Sequence, residues 1–179
     1  MSTGTKHIVY IAMSLDGKIA RLNGEVDWLD TYNNTGEEYG YEKFLDSVDA
    51  ILMGAHTYEK IVATHHWPYR DKPTFILTHQ DHDRLPHAPV EFCGGTPHDV
   101  VDSLLHRGIH VLWVMGGGDV ISSMIRERLV DEVRIFVVPI ILGEGVPLFQ
   151  HPGEHNLNLY STKAYPSGIV ELSYIIPRS

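Results

Sequence analysis

An apolar run that ends in three consecutive glycines constrains the fold of this chain more than any other segment. Residues 111–115 read Val-Leu-Trp-Val-Met, which is typical of a buried strand, and Gly116, Gly117 and Gly118 follow at once. Behind the glycines, apolar side chains recur at the spacing of one helix face: Val120, Ile121, Met124, Ile125 and Leu129. The segment therefore predicts a strand that turns directly into an amphipathic helix, as in α/β proteins.

Two interpretations of these glycines are open. Without Cβ atoms at the turn, a ligand can approach the backbone closely, and the N–H groups at the start of the helix suit a phosphate. The positive end of the helix dipole adds to that attraction. A tight turn with positive φ values would require glycine for purely structural reasons. This segment alone does not decide between a ligand site and a structural turn.

The remainder of the chain alternates between strand and helix patterns. The predicted strands cover residues 7–14, 49–53, 74–77, 90–93, 109–115, 132–142, 157–165 and 169–176. Helical spacing recurs between them, at residues 41–48, 58–62 and 97–105. Thr96 and Pro97 mark the start of the last of these helices, while residues 15–36 predict an extended loop with one short strand at most. We expect an α/β fold with a mixed, mostly parallel central sheet flanked by helices and a C-terminal antiparallel hairpin.

Length, charge and cysteine content limit the class of protein and of partner. At 179 residues the chain is long enough for one core, so we expect a single domain over residues 1–179. A net charge of −9 argues against nucleic acid or an anionic membrane surface as the partner. Cys93 is the only cysteine, which excludes a disulfide framework and a thiolate metal cluster. Without a secretion signal or an apolar run of membrane-spanning length, the sequence predicts a cytoplasmic protein.

Glycine or polar residues follow three of the predicted strands. Gly54 and Thr57 follow the second strand, Thr78 and His79 the third, and residues 116–118 the fifth. Ligands of open α/β sheets bind beyond the carboxyl ends of the strands, so these positions predict one elongated ligand that spans them. Thr57 and Thr78 suit phosphate or ribose oxygens, although a helix cap or a turn would use threonine in the same way. The absence of a Gly-x-Gly-x-x-Gly fingerprint and of a Gly-Lys-Ser/Thr loop argues against a Rossmann dehydrogenase, a kinase and a GTPase.

Four segments in a fixed order carry a resemblance to a known superfamily. They are residues 11–20 (IAMSLDGKIA), 51–59 (ILMGAHTYE), 114–118 (VMGGG) and 139–149 (PIILGEGVPLF). The ordered set resembles the dihydrofolate reductase superfamily, and within it the C-terminal reductase domain of the bifunctional riboflavin-biosynthesis deaminase/reductase and its stand-alone bacterial relatives. The resemblance implies a three-layer dihydrofolate reductase-like fold, a small-molecule substrate, NADPH as cofactor and a homodimer.

The same resemblance assigns roles to individual residues. On the cofactor pyrophosphate it places Gly54, Thr57, Gly118, Asp119 and Val120. Beside the nicotinamide it places Ala12, Asp16, Gly17 and Ile19. Thr78 and His79 match the strand end near the adenosine, and Gly116 and Gly117 match a pair joined by a cis peptide. These positions together form the expected cofactor site.

One departure from the family pattern bears on cofactor choice. Family members often have an arginine after the glycine of the second segment, where it pairs with the cofactor 2′-phosphate. Here Ala55 and His56 stand in that place, so NADH is possible beside NADPH. His56, His79 and Arg84 are candidates to replace the arginine, and a histidine would make the affinity depend on pH near neutrality.

The catalytic residues are less clearly marked than the cofactor residues. In dihydrofolate reductase itself an acidic residue on the first helix binds the pterin, and the candidates for that position here are Glu37, Glu38 and Glu42. We select Glu38, together with Asp16 beside the nicotinamide segment, as candidate catalytic residues. A solvated helix face is the structural alternative for the glutamates. Trp28 and Tyr39 are candidates to line the substrate pocket, with ordinary packing as their alternative.

Three functional hypotheses follow. The leading one is an NAD(P)H-dependent reductase that transfers hydride to a small pterin- or pyrimidine-like heterocycle, or to a carbonyl or imine. The second is a non-enzymatic nucleotide-binding module that retains the cofactor site. The third is a metal-dependent hydrolase built on the histidine-rich residues 79–87. Because that stretch lacks the helical histidine spacing of zinc sites, a solvated loop explains it, and we predict no metal site.

Overall fold

A sheet of eight strands forms the centre of the computed structural model, which describes residues 4–178. The first three residues and the last residue of the expected domain lie outside the described residues. The strands are β1 (Lys6–Ser14), β2 (Lys18–Ala20), β3 (Ala50–Gly54), β4 (Thr74–Leu77), β5 (Val90–Cys93), β6 (Val111–Gly116), β7 (Glu132–Val138), β8 (Val146–Pro147), β9 (Asn158–Ala164) and β10 (Val170–Ile175). The helices are α1 (Asp30–Asn33), α2 (Tyr41–Ser47), α3 (Ala55–Ala63), α4 (Pro97–His106) and α5 (Gly118–Arg126).

The strand order confirms the predicted mixed, mostly parallel sheet. Across the sheet the order is β5-β4-β3-β6-β1-β7-β10-β9. The first six strands pair in parallel, which agrees with the strand–helix alternation of the sequence. β10 runs antiparallel to β7, and β9 runs antiparallel to β10, so the C-terminal hairpin is confirmed. β2 and β8 form a separate short antiparallel ladder.

Alternate side chains of the strands build two cores, one on each face of the sheet. On one face, Val9 and Val114 pack with apolar residues of α4 and α5, including Ile121 and Met124. On the other face, the neighbouring strand residues Ile8 and Trp113 pack with α2 and α3. A third cluster forms where residues 28–39 cover the same face near β7. Helices on both faces of one sheet make the three layers that the sequence predicted.

Local sequence accounts for the start of α4. The Thr96 hydroxyl accepts a hydrogen bond from the Asp99 N–H at 3.2 Å, and the Asp99 carboxylate accepts one from the Thr96 N–H at 2.9 Å. This reciprocal capping box, with Pro97 at the first turn, satisfies donors that a helix start otherwise leaves free. The helix start predicted from Thr96 and Pro97 is therefore confirmed.

Two predicted segments differ clearly from the structure, while the ends of the other predicted strands agree to within two residues. β7 ends at Val138 rather than at residue 142, because Pro139 has no N–H for a further ladder bond. Residues 27–33, predicted as loop, form a short 3-10 turn followed by α1. Among the described residues, no helix is both long and apolar enough to cross a membrane.

Candidate functional site

The carboxyl ends of four parallel strands lie side by side and bring most of the predicted cofactor residues to one edge of the sheet. Thr78 follows β4, Gly54 ends β3, Gly116 ends β6 and Ser14 ends β1, in the order of the strands across the sheet. α3 and α5 begin at this edge, each directly behind its strand. This is the place where open α/β sheets bind their ligands.

The turns before α3 and α5 are in contact and form a concave surface. A Cβ on Gly54 would lie 3.0 Å from Val120 Cγ2 and 3.8 Å from the Gly117 nitrogen, and one on Gly117 would lie 3.7 Å from Thr57 Oγ1. We call this group of Gly54, Thr57, Gly117 and Val120 the glycine cradle. The N-cap residues of α3 and α5 are Gly54 and Gly117, so within residues 4–178 no N-cap side chain caps the first N–H groups of either helix. Two uncapped helix starts at one concavity suit a pyrophosphate.

The three consecutive glycines serve different purposes. Gly116 is buried with φ of +130°, a conformation that L side chains rarely adopt, and its peptide bond to Gly117 is cis, as the resemblance implied. A Cβ on Gly118 would lie 2.7 Å from the Pro147 carbonyl oxygen and 3.0 Å from that of Leu148, so Gly118 is required for packing. Only at Gly117 does the missing Cβ face space with a single neighbour, Thr57 Oγ1. The structural interpretation thus explains Gly116 and Gly118, and at Gly117 the ligand interpretation stays a prediction.

Asp16 joins the end of β1 to the segment after β7. Its carboxylate accepts hydrogen bonds from the Ser14 hydroxyl at 2.7 Å, the Leu142 N–H at 3.0 Å and the Gly143 N–H at 2.8 Å. The Ser14 hydrogen bond and those of the two backbone groups lower the pKa of Asp16 to about 2. The residue is therefore ionised near neutrality and cannot supply a proton there. Its geometry is that of a positioning residue for the predicted nicotinamide segment, which contains Gly17 and Ile19.

Replacement of Asp16 by asparagine is expected to weaken dinucleotide binding about tenfold, since an amide places an N–H group against one of the two backbone donors. Fluorescence titration measures the effect. Asp27→Asn, which removes a carboxylate from an exposed ion pair with Arg21, is the matched control and should bind as the wild type does. Unchanged affinity in Asp16→Asn would show that the loop does not border the cofactor.

The predicted adenosine-side residues are only partly available to a ligand. Thr78 Oγ1 accepts a hydrogen bond from the Gln80 N–H at 3.1 Å and lies 3.0 Å from His82 Nε2, so this hydroxyl is used within its own turn. His82 Nδ1 also lies 3.0 Å from a Glu59 carboxylate oxygen. The ring of His79 lies over Gly94, with Nδ1 3.3 Å from where a Cβ would be. For Thr78, the hydrogen bonds favour the turn interpretation.

Two of the three candidate acids do not lie on a helix, whereas Glu42 lies in α2 and pairs with Arg70. Glu37 and Glu38 occupy an irregular segment between α1 and α2, because Gly36 and Gly40, each with φ of +75°, interrupt the helical path on both sides. Glu38 is exposed. Glu37 Oε2, in contrast, is buried without a hydrogen-bond partner among the described residues. Glu37 is therefore the better candidate of the two. The sequence pattern could not show that Glu37 has a buried carboxylate oxygen while Glu38 is exposed.

An aromatic cluster covers the face of the sheet at β1 and β7. Trp28 and Phe136 pack there, with Ala12 and Tyr39 against them. The cluster therefore contains one predicted cofactor residue, Ala12, and both candidates for the substrate pocket, Trp28 and Tyr39. Tyr39 donates to Ser167 Oγ at 3.0 Å, and its carbonyl accepts from the Tyr10 hydroxyl at 3.3 Å. Trp28 is 5% exposed, and its Nε1 has no hydrogen-bond partner among the described residues. This N–H is therefore an unpaired buried donor, which is costly in free energy.

A cavity of about 470 Å³ continues from the glycine cradle along α5. It shares Val120 with the cradle and is lined by residues of β4, α5 and the loop after β8: Leu77, Asp119, Val120, Ser123, Arg126, Gln150 and His151. Its size and mixed charge suit a nucleoside. Together, the uncapped helix starts, the open Gly117 and this cavity fit a dinucleotide with its pyrophosphate in the cradle.

The metal-dependent hydrolase receives no support from the side-chain positions. Among residues 4–178, no group of three or more histidine, cysteine, aspartate or glutamate side chains could hold a metal ion. Within the histidine-rich stretch, His82 contacts Thr78 and Glu59 instead. Burial raises the pKa of Cys93 to about 11, so this thiol is also not a poised nucleophile.

Comparisons with known proteins agree with the geometry. The RibD C-terminal domain family matches residues 5–171. The protein YwjB of Bacillus subtilis (strain 168) is 34% identical over 172 residues, which cover 95% of this chain and 97% of YwjB. A crystal structure of a Shewanella sp. PV-4 protein, provisionally assigned to riboflavin biosynthesis, has a TM-score of 0.87 at 31% identity and covers 97% of this chain and 99% of that one. The Thermotoga maritima diaminohydroxyphosphoribosylaminopyrimidine deaminase/5-amino-6-(5-phosphoribosylamino)uracil reductase shares the fold, with a TM-score of 0.74 at 15% identity over 98% of this chain and 58% of that one.

Proposed function

This chain belongs to the RibD C-terminal domain family, and we propose on that premise that it is an NAD(P)H-dependent reductase of a small, flat nitrogen heterocycle of the pyrimidine type. The observation that carries the proposal is the glycine cradle, where two uncapped helix starts converge beside the open Gly117. The cavity along α5 and the aromatic cluster at β1 extend from the same sheet edge. The cavity would bind the nucleoside of the cofactor, and the cluster would bind the heterocycle.

The residues of this chain supply binding and alignment. Bound NAD(P)H supplies the hydride, which is the chemistry of the cofactor itself. N–H groups at the starts of α3 and α5 hold the pyrophosphate, while Ala12, Gly17 and Ile19 border the nicotinamide. The aromatic cluster around Trp28 excludes water and offers a flat apolar surface for the heterocycle.

Two buried polar atoms are suited to orient that heterocycle. Trp28 Nε1 is a donor and Glu37 Oε2 is an acceptor, and neither has a partner among the described residues. A ring carbonyl satisfies the indole N–H, and a ring N–H or an exocyclic amine satisfies the carboxylate. Aminopyrimidinones carry both kinds of group, which supports a substrate of that class over a simple carbonyl compound.

Titration with NADPH and with NADH, followed by nucleotide fluorescence, tests the cofactor part of the proposal. Loss of reduced-nicotinamide absorbance then tests turnover of a ribosylaminopyrimidine, of dihydrofolate and of simple carbonyl compounds. We expect binding of at least one dinucleotide and turnover of the ribosylaminopyrimidine. Absence of binding would overturn the proposal, and binding without turnover of any compound would favour the non-enzymatic nucleotide-binding module.

The expected homodimer is proposed to form through β9. This strand ends the sheet order, and all seven of its residues are exposed, with Leu159 and Tyr160 about half exposed. An exposed strand edge pairs readily with a second copy across a two-fold axis. Leu159→Glu is expected to convert a dimer into a monomer in light scattering, whereas Leu22→Glu, at a leucine with 70% exposure elsewhere, should not. A monomeric wild-type protein would contradict the proposal.

A further inference from the structure

Cofactor choice in this chain is connected with the charges of the cavity along α5, provided that the proposed function holds. The position where family members often carry an arginine is occupied by Ala55 and His56. The His56 side chain is 99% exposed and lies 3.4 Å from a Glu59 carboxylate oxygen. Arg84, another candidate, donates to the Val90 carbonyl at 3.1 Å and lies over the Phe92 ring. None of the candidates His56, His79 and Arg84 lines the cavity along α5.

Arg126, which is exposed, does line this cavity. It stands in the last turn of α5, about 12 Å of helix from Gly118 at ~1.5 Å per residue. Its side chain lines the same cavity as Asp119 and Val120, which lie in the first turn of α5 beside the cradle. Its Nη1 donates to the His151 carbonyl at 2.9 Å. A guanidinium has five N–H donors, so this bond fixes the group and leaves donors for a ligand.

Asp119 introduces the opposite charge into the same cavity. It lies in the first turn of α5, lines the cavity and is exposed, and it makes no capping hydrogen bond. A carboxylate accepts hydrogen bonds from ribose hydroxyls and repels a phosphate at the same position. Along this wall of the cavity, the charges in order are therefore Asp119 and then Arg126, with the Ser123 hydroxyl between them.

We propose that Arg126 and Asp119 form an opposed pair that sets the preference between NADPH and NADH at the 2′-position of the adenosine. Arg126 favours the 2′-phosphate through charge-assisted hydrogen bonds, and Asp119 favours the free 2′-hydroxyl. The pair would thereby discriminate between the 2′-phosphate and the 2′-hydroxyl in place of the arginine that residues 51–59 lack. The inference rests on the proposed function, because it concerns the same dinucleotide site.

The experiment compares dissociation constants for NADPH and NADH, measured by nucleotide fluorescence, in the wild type and in two single variants. Arg126→Gln is expected to weaken NADPH binding about tenfold or more and to leave NADH within about threefold. Asp119→Asn is expected to shift the ratio in the opposite direction, with tighter NADPH binding by about threefold or more and slightly weaker NADH binding. Opposite shifts from the two variants support the pair.

Arg84→Gln is the matched control, since it removes an arginine whose guanidinium is engaged with Val90 and Phe92. It should leave the NADPH-to-NADH ratio unchanged. A loss of NADPH affinity in Arg84→Gln, or equal effects of Arg126→Gln on both dinucleotides, would overturn the inference and leave the proposed function intact. If the wild type binds neither dinucleotide, the proposed function itself fails, and the inference fails with it.

Discussion

Replacement of Gly117 by valine is expected to lower the affinity for NADPH and NADH by about 100-fold or more while the protein stays folded. Gly117 has φ of −66°, which a side chain tolerates, and the neighbour of a Cβ there would be Thr57 Oγ1 at 3.7 Å, an ordinary contact. The branched side chain would fill the glycine cradle and block the N–H groups at the start of α5. Fluorescence titration measures the affinity, and thermal unfolding measures the stability.

The adjacent glycine provides the control with the reverse outcome. Gly118→Ala would place a Cβ 2.7 Å from the Pro147 carbonyl oxygen, so this variant is expected to lose about 1–3 kcal/mol of unfolding free energy through overpacking. A stable Gly117→Val protein that still binds dinucleotide with wild-type affinity would refute the phosphate role of the cradle. A stable Gly118→Ala protein would refute the packing role of Gly118.

This contrast also shows what the sequence could not resolve. Three adjacent glycines are equivalent in a sequence pattern, and both a ligand site and a tight turn explain them. The separation comes from backbone atoms about thirty residues further along, at Pro147 and Leu148, which occupy the space beside Gly118. Contacts of that range depend on the path of the loop after β7, which local periodicity does not encode.

Elements governed by local physical chemistry were predicted well. β4 and β5 have the predicted bounds, because each is a short segment of mostly β-branched, aromatic or apolar residues between turn residues. α4 begins at Pro97 because Thr96 and Asp99 complete a capping box within the segment itself. Family membership was likewise predicted from four ordered segments and is confirmed. The short strand allowed within residues 15–36 is β2, but β8 and its pairing with β2 were missed, because a two-residue strand carries no readable alternation.

Site residues whose positions follow from the strand order could also be predicted, whereas those whose role depends on tertiary contacts could not. The arrangement of Gly54, Thr57 and Gly117 at one sheet edge follows from the strand order and could be expected from the strand ends. Arg126 was missed, since its relevance depends on a cavity formed with the loop after β8 and not on any motif. The preference for Glu38 over Glu37 assumed a helix that Gly36 and Gly40 prevent. Individual burial of two adjacent glutamates is a tertiary property.

Replacement of Glu132 by glutamine is expected to lower the unfolding free energy by about 3 kcal/mol, which corresponds to a fall in Tm of roughly 6–12 °C for a chain of this size. Glu132 has 0% exposure, and its carboxylate pairs with Lys6 at 2.5 Å, with Arg134 and with the Tyr160 hydroxyl. The neutral amide would remove the counter-charge of Arg134 and Lys6, whose side chains are 27% and 48% exposed, and would bury an N–H group against them at the fully buried position 132. Thermal and urea unfolding measure the change.

Acid should reproduce part of this loss in the wild type. Burial alone would raise the pKa of Glu132, but the hydrogen bonds from Arg134, Lys6 and Tyr160 outweigh it and hold the pKa below the ordinary value. The stabilisation is therefore complete above the ordinary glutamate pKa of about 4.3 and is lost as the pH falls through the lower, folded-state pKa.

Glu91→Gln is the matched control, because Glu91 forms an exposed ion pair with Arg107 that should contribute less than about 1 kcal/mol. If both variants lose the same small amount of stability, and Glu132→Gln retains the acid sensitivity of the wild type, the buried carboxylate is not a principal electrostatic support of this sheet.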